Sequence, residues 1–263
     1  MIGAMCGRYM ITSPFEAVAD LFEAEAAGGL GPGGPRPNVS PTETVPVVVG
    51  HEDGRSLVPM RWGFLPHWYK APNDGPLLIN ARAETIAEKP AFRAAARERR
   101  CLIPADGFYE WKGEKGAKVP FVIRPRAGGM IAFAGVWQDW GTAGAGQPPG
   151  GTAGVGQPAG GPAGVGRPAG GPEGARVPAG GPADGRISTC AIVTCAANAT
   201  CAAVHHRMPV VVAREDWALW LGEAGKGAAA LMRPAPEDML VVEEADAATK
   251  AVLRRRPGGG SSA

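Results

Sequence analysis

Cys101-Leu102-Ile103-Pro104-Ala105-Asp106-Gly107-Phe108-Tyr109-Glu110-Trp111 is the stretch from which the architecture is read. Residues 101–105 and 107–111 are short, apolar and rich in β-forming side chains, so both are expected as strands. Lys112-Gly113-Glu114-Lys115-Gly116 then supplies a hairpin turn into a further strand at Pro120-Phe121-Val122-Ile123. Residues 130–137 continue the same sheet.

Working outward, residues 90–100 predict a helix, with Phe92 and Ala96 on one face and several arginines on the other. Residues 79–85 follow a Gly/Pro turn, and residues 62–68 form a loop rich in glycine and aromatic residues. Val45-Pro46-Val47-Val48-Val49 and residues 56–62 read as antiparallel neighbours joined by a turn around Glu52-Asp53-Gly54. Residues 14–22 have apolar side chains at helical spacing behind a Ser13 N-cap, and residues 28–37 break that helix. On the far side, residues 187–194 and 208–212 predict strands, residues 214–221 a short helix and residues 239–242 an edge strand. The tail 254–263 is expected to be disordered, with Arg254, Arg255 and Arg256 solvated.

The chain has 263 residues and is 45% hydrophobic, enough for a sizeable core, yet it carries 40 Gly and 26 Pro. That excess falls between residues 141 and 186, where Gln147-Pro148-Pro149-Gly150-Gly151, Gln157-Pro158-Ala159-Gly160-Gly161 and Arg167-Pro168-Ala169-Gly170-Gly171 repeat every ten residues. The segment lacks the Gly-X-Y period of collagen and the apolar residues that offset the entropy of ordering. We expect a disordered Gly/Pro/Ala-rich insertion within one domain, tolerated because loop-closure cost grows only logarithmically with length. No apolar run approaches the ~20 residues of a membrane span, and no leader pattern is present, so a cytoplasmic protein without membrane contact is expected. Five cysteines are an odd number, which argues for free thiols in a reducing compartment. A net charge of +2 says little about partners.

Met5-Cys6-Gly7-Arg8-Tyr9 carries the chemistry. A cysteine directly after an initiating methionine becomes a mature N-terminus with two nucleophiles on adjacent carbons, an α-amine of pKa about 7.7–8.0 and a thiol of about 8.5. That pair condenses with an aldehyde to a Schiff base and closes to a thiazolidine, and a ring-opened abasic sugar in DNA is such an aldehyde. Because Ile2 should protect Met1 from removal, Met5 is expected to be the start. A buried structural cysteine is the ordinary alternative for such a residue.

The chain resembles the SOS response-associated peptidase (SRAP) family from Met5 to about Val212, the insertion excepted. The resemblance rests on Met5-Cys6-Gly7-Arg8-Tyr9, Asn38-Val39-Ser40-Pro41-Thr42, Arg61-Trp62-Gly63, Asn80-Ala81-Arg82-Ala83-Glu84-Thr85, the 101–111 stretch and His205-His206-Arg207-Met208-Pro209-Val210. It implies an α+β fold, a single SRAP domain over residues 5–253 built on a pseudo-barrel of antiparallel strands with short flanking helices. It also implies single-stranded DNA containing abasic sites as the partner, held in a positively charged cleft, with a monomeric protein and no cofactor. Cys6 resembles the crosslinking nucleophile, with Asn80, Glu110 and His205 as supporting residues. His205 suits proton transfer at the sugar ring oxygen, Glu110 the transfers around the amine, and Asn80 hydrogen bonding to sugar or amine. Arg8, Arg82 and Arg207 resemble phosphate ligands, and Pro41 belongs to the same DNA-facing set. Trp68 either stacks on a base or packs on the sheet.

The family spacing selects His205 over His206, whose neighbouring position on an extended segment would face the opposite side. His51 and His67 are read as surface or loop residues. Cys190, Cys195, Cys201 and His205 match no common structural zinc spacing, so no metal is expected. Three functions compete: covalent crosslinking to abasic single-stranded DNA with lyase-type chemistry in DNA repair and the SOS response, a cysteine peptidase or hydrolase using Cys6 and His205, and a non-catalytic DNA-binding module. Thiazolidine formation needs amine and thiol on one residue, and the Met-Cys start favours the first.

Overall fold

The computed structural model describes residues 7–30, 33–114, 116–141 and 186–255. The insertion 142–185, the chain beyond Arg255 and Cys6 itself lie outside them. In chain order the elements are β1 (Tyr9–Ile11), α1 (Phe15–Phe22), β2 (Ala24–Ala26), β3 (Arg36–Val39), β4 (Thr44–His51), β5 (Gly54–Trp62), β6 (Asn80–Arg82), α2 (Arg93–Glu98), β7 (Arg100–Ala105), β8 (Gly107–Lys112), β9 (Val119–Pro125), β10 (Ile131–Trp140), β11 (Ile187–Ala196), α3 (Ala199–Ala202), β12 (Arg207–Pro209), β13 (Val211–Val212), α4 (Trp217–Leu221), β14 (Leu240–Glu244) and α5 (Ala247–Arg254).

β4 and β5 form the expected antiparallel pair, from Thr44↔Arg61 to His51↔Gly54. Glu52 and Asp53 make the turn, and Gly54, at φ +136°, takes the left-handed backbone that follows it. β4 pairs with β7, β7 with β10 and β10 with β11. A short parallel contact, Thr189↔Arg61 and Cys190↔Trp62, returns β11 to β5 and closes the ring. The result is the α+β pseudo-barrel implied by the resemblance. Val45, Val47, Val48 and Val49 are all buried, so β4 is covered on both faces, which explains an unbroken apolar run in place of alternation. Outside the barrel, the Trp220 indole donates to the Cys101 carbonyl at 2.8 Å, and Phe22 of α1 stacks on Trp217 of α4 at 4.1 Å.

A second sheet, ordered β14-β9-β8-β1-β3, lies against this barrel. Tyr9 meets Trp62 and Phe133 edge-on at 5.3 and 6.0 Å, and Phe108 meets Phe133 at 5.8 Å, so one aromatic cluster joins the two sheets. The opposite face carries Tyr109, Val122 and Ala245, with Met10, Trp111 and Leu253 packed on them, and α5 supplies that last side chain. Phe108 and Glu110 therefore face the barrel, while Tyr109 and Trp111 face α5, as period-two alternation requires.

Four local expectations are corrected. Ser13 does not cap α1; its hydroxyl donates to the Asp106 carboxylate at 2.8 Å, and that carboxylate also accepts from the Thr12 hydroxyl. The helix predicted over 90–100 contracts to Arg93–Glu98, because Arg100 already belongs to β7 and its guanidinium donates to backbone carbonyls of Ala96, Arg97 and Trp220. Residues 208–212 split into β12 on β11 and β13 on β10, since Val210 bonds both ways, donating to Val193 and accepting from Ala134. Arg254 is not tail but the last residue of α5, a helix started by Asp246, whose carboxylate accepts from the Thr249 amide at 2.7 Å. The edge strand expected at residues 239–242 is found as β14, over Leu240–Glu244.

Candidate functional site

β8 sets the floor of the site. Glu110 is buried, 4% exposed, and pairs with Phe121 on β9. On the other edge β1 runs antiparallel, Tyr9 opposite Phe108, and the ladder continues one residue further where the Tyr109 amide donates to the Arg8 carbonyl at 3.0 Å. The chain that enters β1 therefore travels along β8 toward Glu110. Gly107, at the start of β8, lies so near the Ile123 carbonyl that a Cβ would sit 2.7 Å from it, which accounts for the glycine there.

β11 organises the remaining residues. β6 lies parallel along one edge, with Asn80 opposite Ile192 and Arg82 opposite Thr194. β12 lies antiparallel along the other, with Arg207 opposite Ala196. Asn80 and Arg207 are thus brought to the two sides of one strand although 126 residues of sequence separate them. Arg207 is engaged: its guanidinium forks onto the Glu84 carboxylate, Nη2 to Oε2 at 2.9 Å, and Nη2 also donates to the Thr194 carbonyl at 2.7 Å. Hydrogen bonding from Arg207 holds the Glu84 carboxyl below its ordinary value. Arg8 is held likewise, donating to Asn38 Oδ1 at 2.8 Å, and Asn38 in turn donates to the Val252 carbonyl. Arg82 is exposed.

His205 follows the single turn of α3, its amide donating to the Cys201 carbonyl at 3.0 Å. The Arg207 backbone N–H donates to His205 Nδ1 at 3.1 Å. The Arg207 carbonyl lies 3.4 Å from the same nitrogen, so both backbone groups of Arg207 hold the Nδ1 edge of the ring and leave Nε2 as its outer nitrogen. His206 does not face the opposite side as an extended segment would require: the chain bends here, and the two imidazoles lie 4.4 Å apart. His206 is exposed and His205 half-buried.

Pro41 precedes Thr42, which adopts a left-handed backbone at φ +76° and donates its amide to the Trp62 carbonyl at 2.7 Å, pinning that turn to the end of β5. Trp68 is 48% exposed, so it is not packed on the sheet. Its ring meets His67 edge-on at 4.9 Å in a loop whose Tyr69 carbonyl accepts from the Trp140 indole.

Cys101, Cys190, Cys195 and Cys201 are all buried. Burial pushes the Cys195 thiol up to about 11 and Cys201 to about 12, the latter with Glu237, Cys195 and Glu110 adding to the effect, and it raises Cys101 and Cys190 further. These four thiols stay protonated at neutral pH and have no nucleophilic role. Among the described residues no group of three His, Cys, Asp or Glu side chains is arranged to hold a metal ion. No described helix is long and apolar enough to cross a membrane. Sequence reasoning missed Glu84 as the partner of Arg207, and it missed Asn198 and Glu237, which hold α3.

Residues 5–252 match the family model described as SOS response associated peptidase (SRAP). The match runs past the last of the motifs that carry the resemblance and takes in β14 and most of α5. The chain is 32% identical over 218 residues to abasic site processing protein YoaM of Bacillus subtilis (strain 168), covering 82% of this chain and 79% of that protein. It is 33% identical over 136 residues to abasic site processing protein YedK of Escherichia coli (strain K12), covering 50% and 59%. A solved structure of a protein from Bacteroides thetaiotaomicron superimposes with a TM-score of 0.68 at 18% identity, covering 95% of this chain and all of the other, a likeness of fold.

Proposed function

Because this chain belongs to the SOS response associated peptidase (SRAP) family, we propose that it processes abasic sites by linking itself covalently, through an N-terminal Cys6, to the sugar aldehyde in single-stranded DNA. The relatives named above as abasic site processing proteins support the substrate. The observation that carries the residue assignment is the path of the chain start: β1 lies on β8 and leads the residue after Cys6 toward Glu110. The four buried, protonated thiols elsewhere leave Cys6 as the nucleophile. The family match beginning at Met5 agrees with a mature start at Cys6.

In this reading protonated His205 gives its Nε2 proton to the ring oxygen while the anomeric hydroxyl gives its own proton to water, so the sugar opens to the aldehyde with no net proton gained or lost. The Cys6 α-amine attacks C1′, and the carbinolamine loses water with Glu110 moving the protons. The Cys6 sulfur then adds to the imine carbon, nitrogen takes up the thiol proton, and the five-membered ring closes; one water leaves overall. Asn80 holds the sugar or the amine. Arg8, Arg82 and Arg207 line the backbone path, two of them pre-oriented by Asn38 and Glu84, and the exposed Trp68 offers a face to a base.

The test is to mix the protein, its terminus established by intact mass, with single-stranded DNA carrying one abasic site. A complex that survives denaturing electrophoresis without borohydride is expected. Its persistence in Cys6→Ala protein would remove the thiazolidine mechanism.

A further inference from the structure

The first three amides of α3 are all taken by side chains, two by the distant Glu237 and one by the helix's own N-cap, Asn198. Glu237 accepts from the Ala199 amide through Oε1 at 2.9 Å and from the Thr200 amide through Oε2 at 3.0 Å. Asn198, buried beside them, accepts from the Cys201 amide at 2.9 Å and donates to the Ala235 carbonyl at 3.0 Å. The Thr200 hydroxyl closes the unit by donating to the Glu237 carbonyl at 3.0 Å. A helix of four residues has no length with which to stabilise itself, and all its amides are terminal. Its position is therefore set by residues 235–237 and Asn198. The other end of this turn holds His205, through the Cys201 carbonyl, and nothing longer than that turn separates the clamp from the imidazole.

We propose that Glu237 is a positioning residue for His205: by gripping the start of α3 it fixes where Nε2 points. Only a carboxylate offers two oxygens to two successive amides with matching charge. Those bonds hold the Glu237 carboxyl below its ordinary value of 4.5, so the clamp is charged and closed at neutral pH. The sign is that of a depressed acid: the grip is present above the ordinary value and is lost as pH falls through the lowered one. Glu237, Cys195 and Glu110 act on the Cys201 thiol, His205, His206 and Arg207 follow α3 in the chain and Asp238 follows Glu237, and burial keeps the Cys195 and Cys201 thiols protonated at neutral pH.

The inference rests on the reading of His205 as the proton donor, and the experiment separates the two. Crosslinking rates at saturating abasic DNA, DNA affinities and melting temperatures would be compared for full-length wild type, Glu237→Ala, Glu237→Gln, His205→Ala and the Glu237→Ala/His205→Ala double variant. Expected are about a tenfold slower rate in Glu237→Ala with unchanged DNA affinity, since small misplacement of a reacting group costs rate and not grip. Glu237→Gln, which keeps one acceptor, should recover part of that loss. The double variant should be no slower than His205→Ala, because two residues acting through one group are not additive. Glu237→Ala at the wild-type rate with a slow His205→Ala overturns the inference alone, as does an additive double variant. A wild-type rate in His205→Ala overturns the reading of His205 and this inference with it. Glu237→Gln reports on the clamp even where the alanine variant melts early, and equal rates for it and Glu237→Ala would also count against the proposal.

Discussion

At the scale of single residues, the division of labour among ionisable groups follows from what each one touches. A thiol beside an α-amine needs no buried base, whereas the four thiols buried in the fold are held protonated. Cys6→Ser keeps the amine, so it should trap only as a Schiff base that borohydride fixes and that otherwise falls apart, and Cys6→Ala should behave alike; electrophoresis with and without reductant reads the difference. Glu110→Ala and His205→Ala should slow crosslinking by about 10²–10⁴ while DNA affinity stays near wild type, the usual share of proton transfer. Glu84 offers a separate check. Its carboxyl is depressed by Arg207, so the stability it contributes is present above its ordinary value of 4.5 and fades as pH falls through the lowered value. The melting temperature of Glu84→Gln protein should accordingly depend less on pH in the range below 4.5 than that of wild type. Equal slopes would mean that the pair with Arg207 is not the group that titrates.

Elements were legible in proportion to how far their pattern is local. The β4 and β5 pair announced itself through a β-branched run and a turn, and both are found where the residues put them. The edge strand β14 and the hairpin from β8 to β9 were equally plain. By contrast α2 is shorter than its periodicity predicts because Arg100 is drawn into β7 by carbonyls on α2 and α4. α5 escaped notice although Asp246 and Thr249 stand at cap spacing, because its amphipathic face has a purpose only once β8 and β9 exist to receive Leu253. α4 gives the firmest test at this scale. Trp220 is fully buried and its indole donates to the Cys101 carbonyl, so Trp220→Ala should cost about 3–5 kcal/mol, seen as a lowered denaturant midpoint. A loss below about 1 kcal/mol would mean that α4 is not part of the cooperative core.

For the whole molecule, β10 and β11 meet at Trp140↔Ile187, so the ends of the insertion are partners in one antiparallel pair. Replacing residues 142–185 with a short Gly-containing turn should leave both the melting temperature and crosslinking nearly unchanged, as closure cost is logarithmic in length. A fall of more than a few degrees in a thermal melt would show that the repeats contribute to the fold. The sequence by itself determined the strand periodicity and the family, because each depends on residues that are neighbours in the chain or on motifs in fixed order. Only the tertiary structure decided that Arg207 is forked onto Glu84 across 123 residues, that His205 and His206 lie side by side at a bend, and that Glu237 holds the start of α3. Those are contacts between segments far apart in sequence, made when the barrel closes through β11 and β5, and no local pattern of residue types encodes which distant group will arrive.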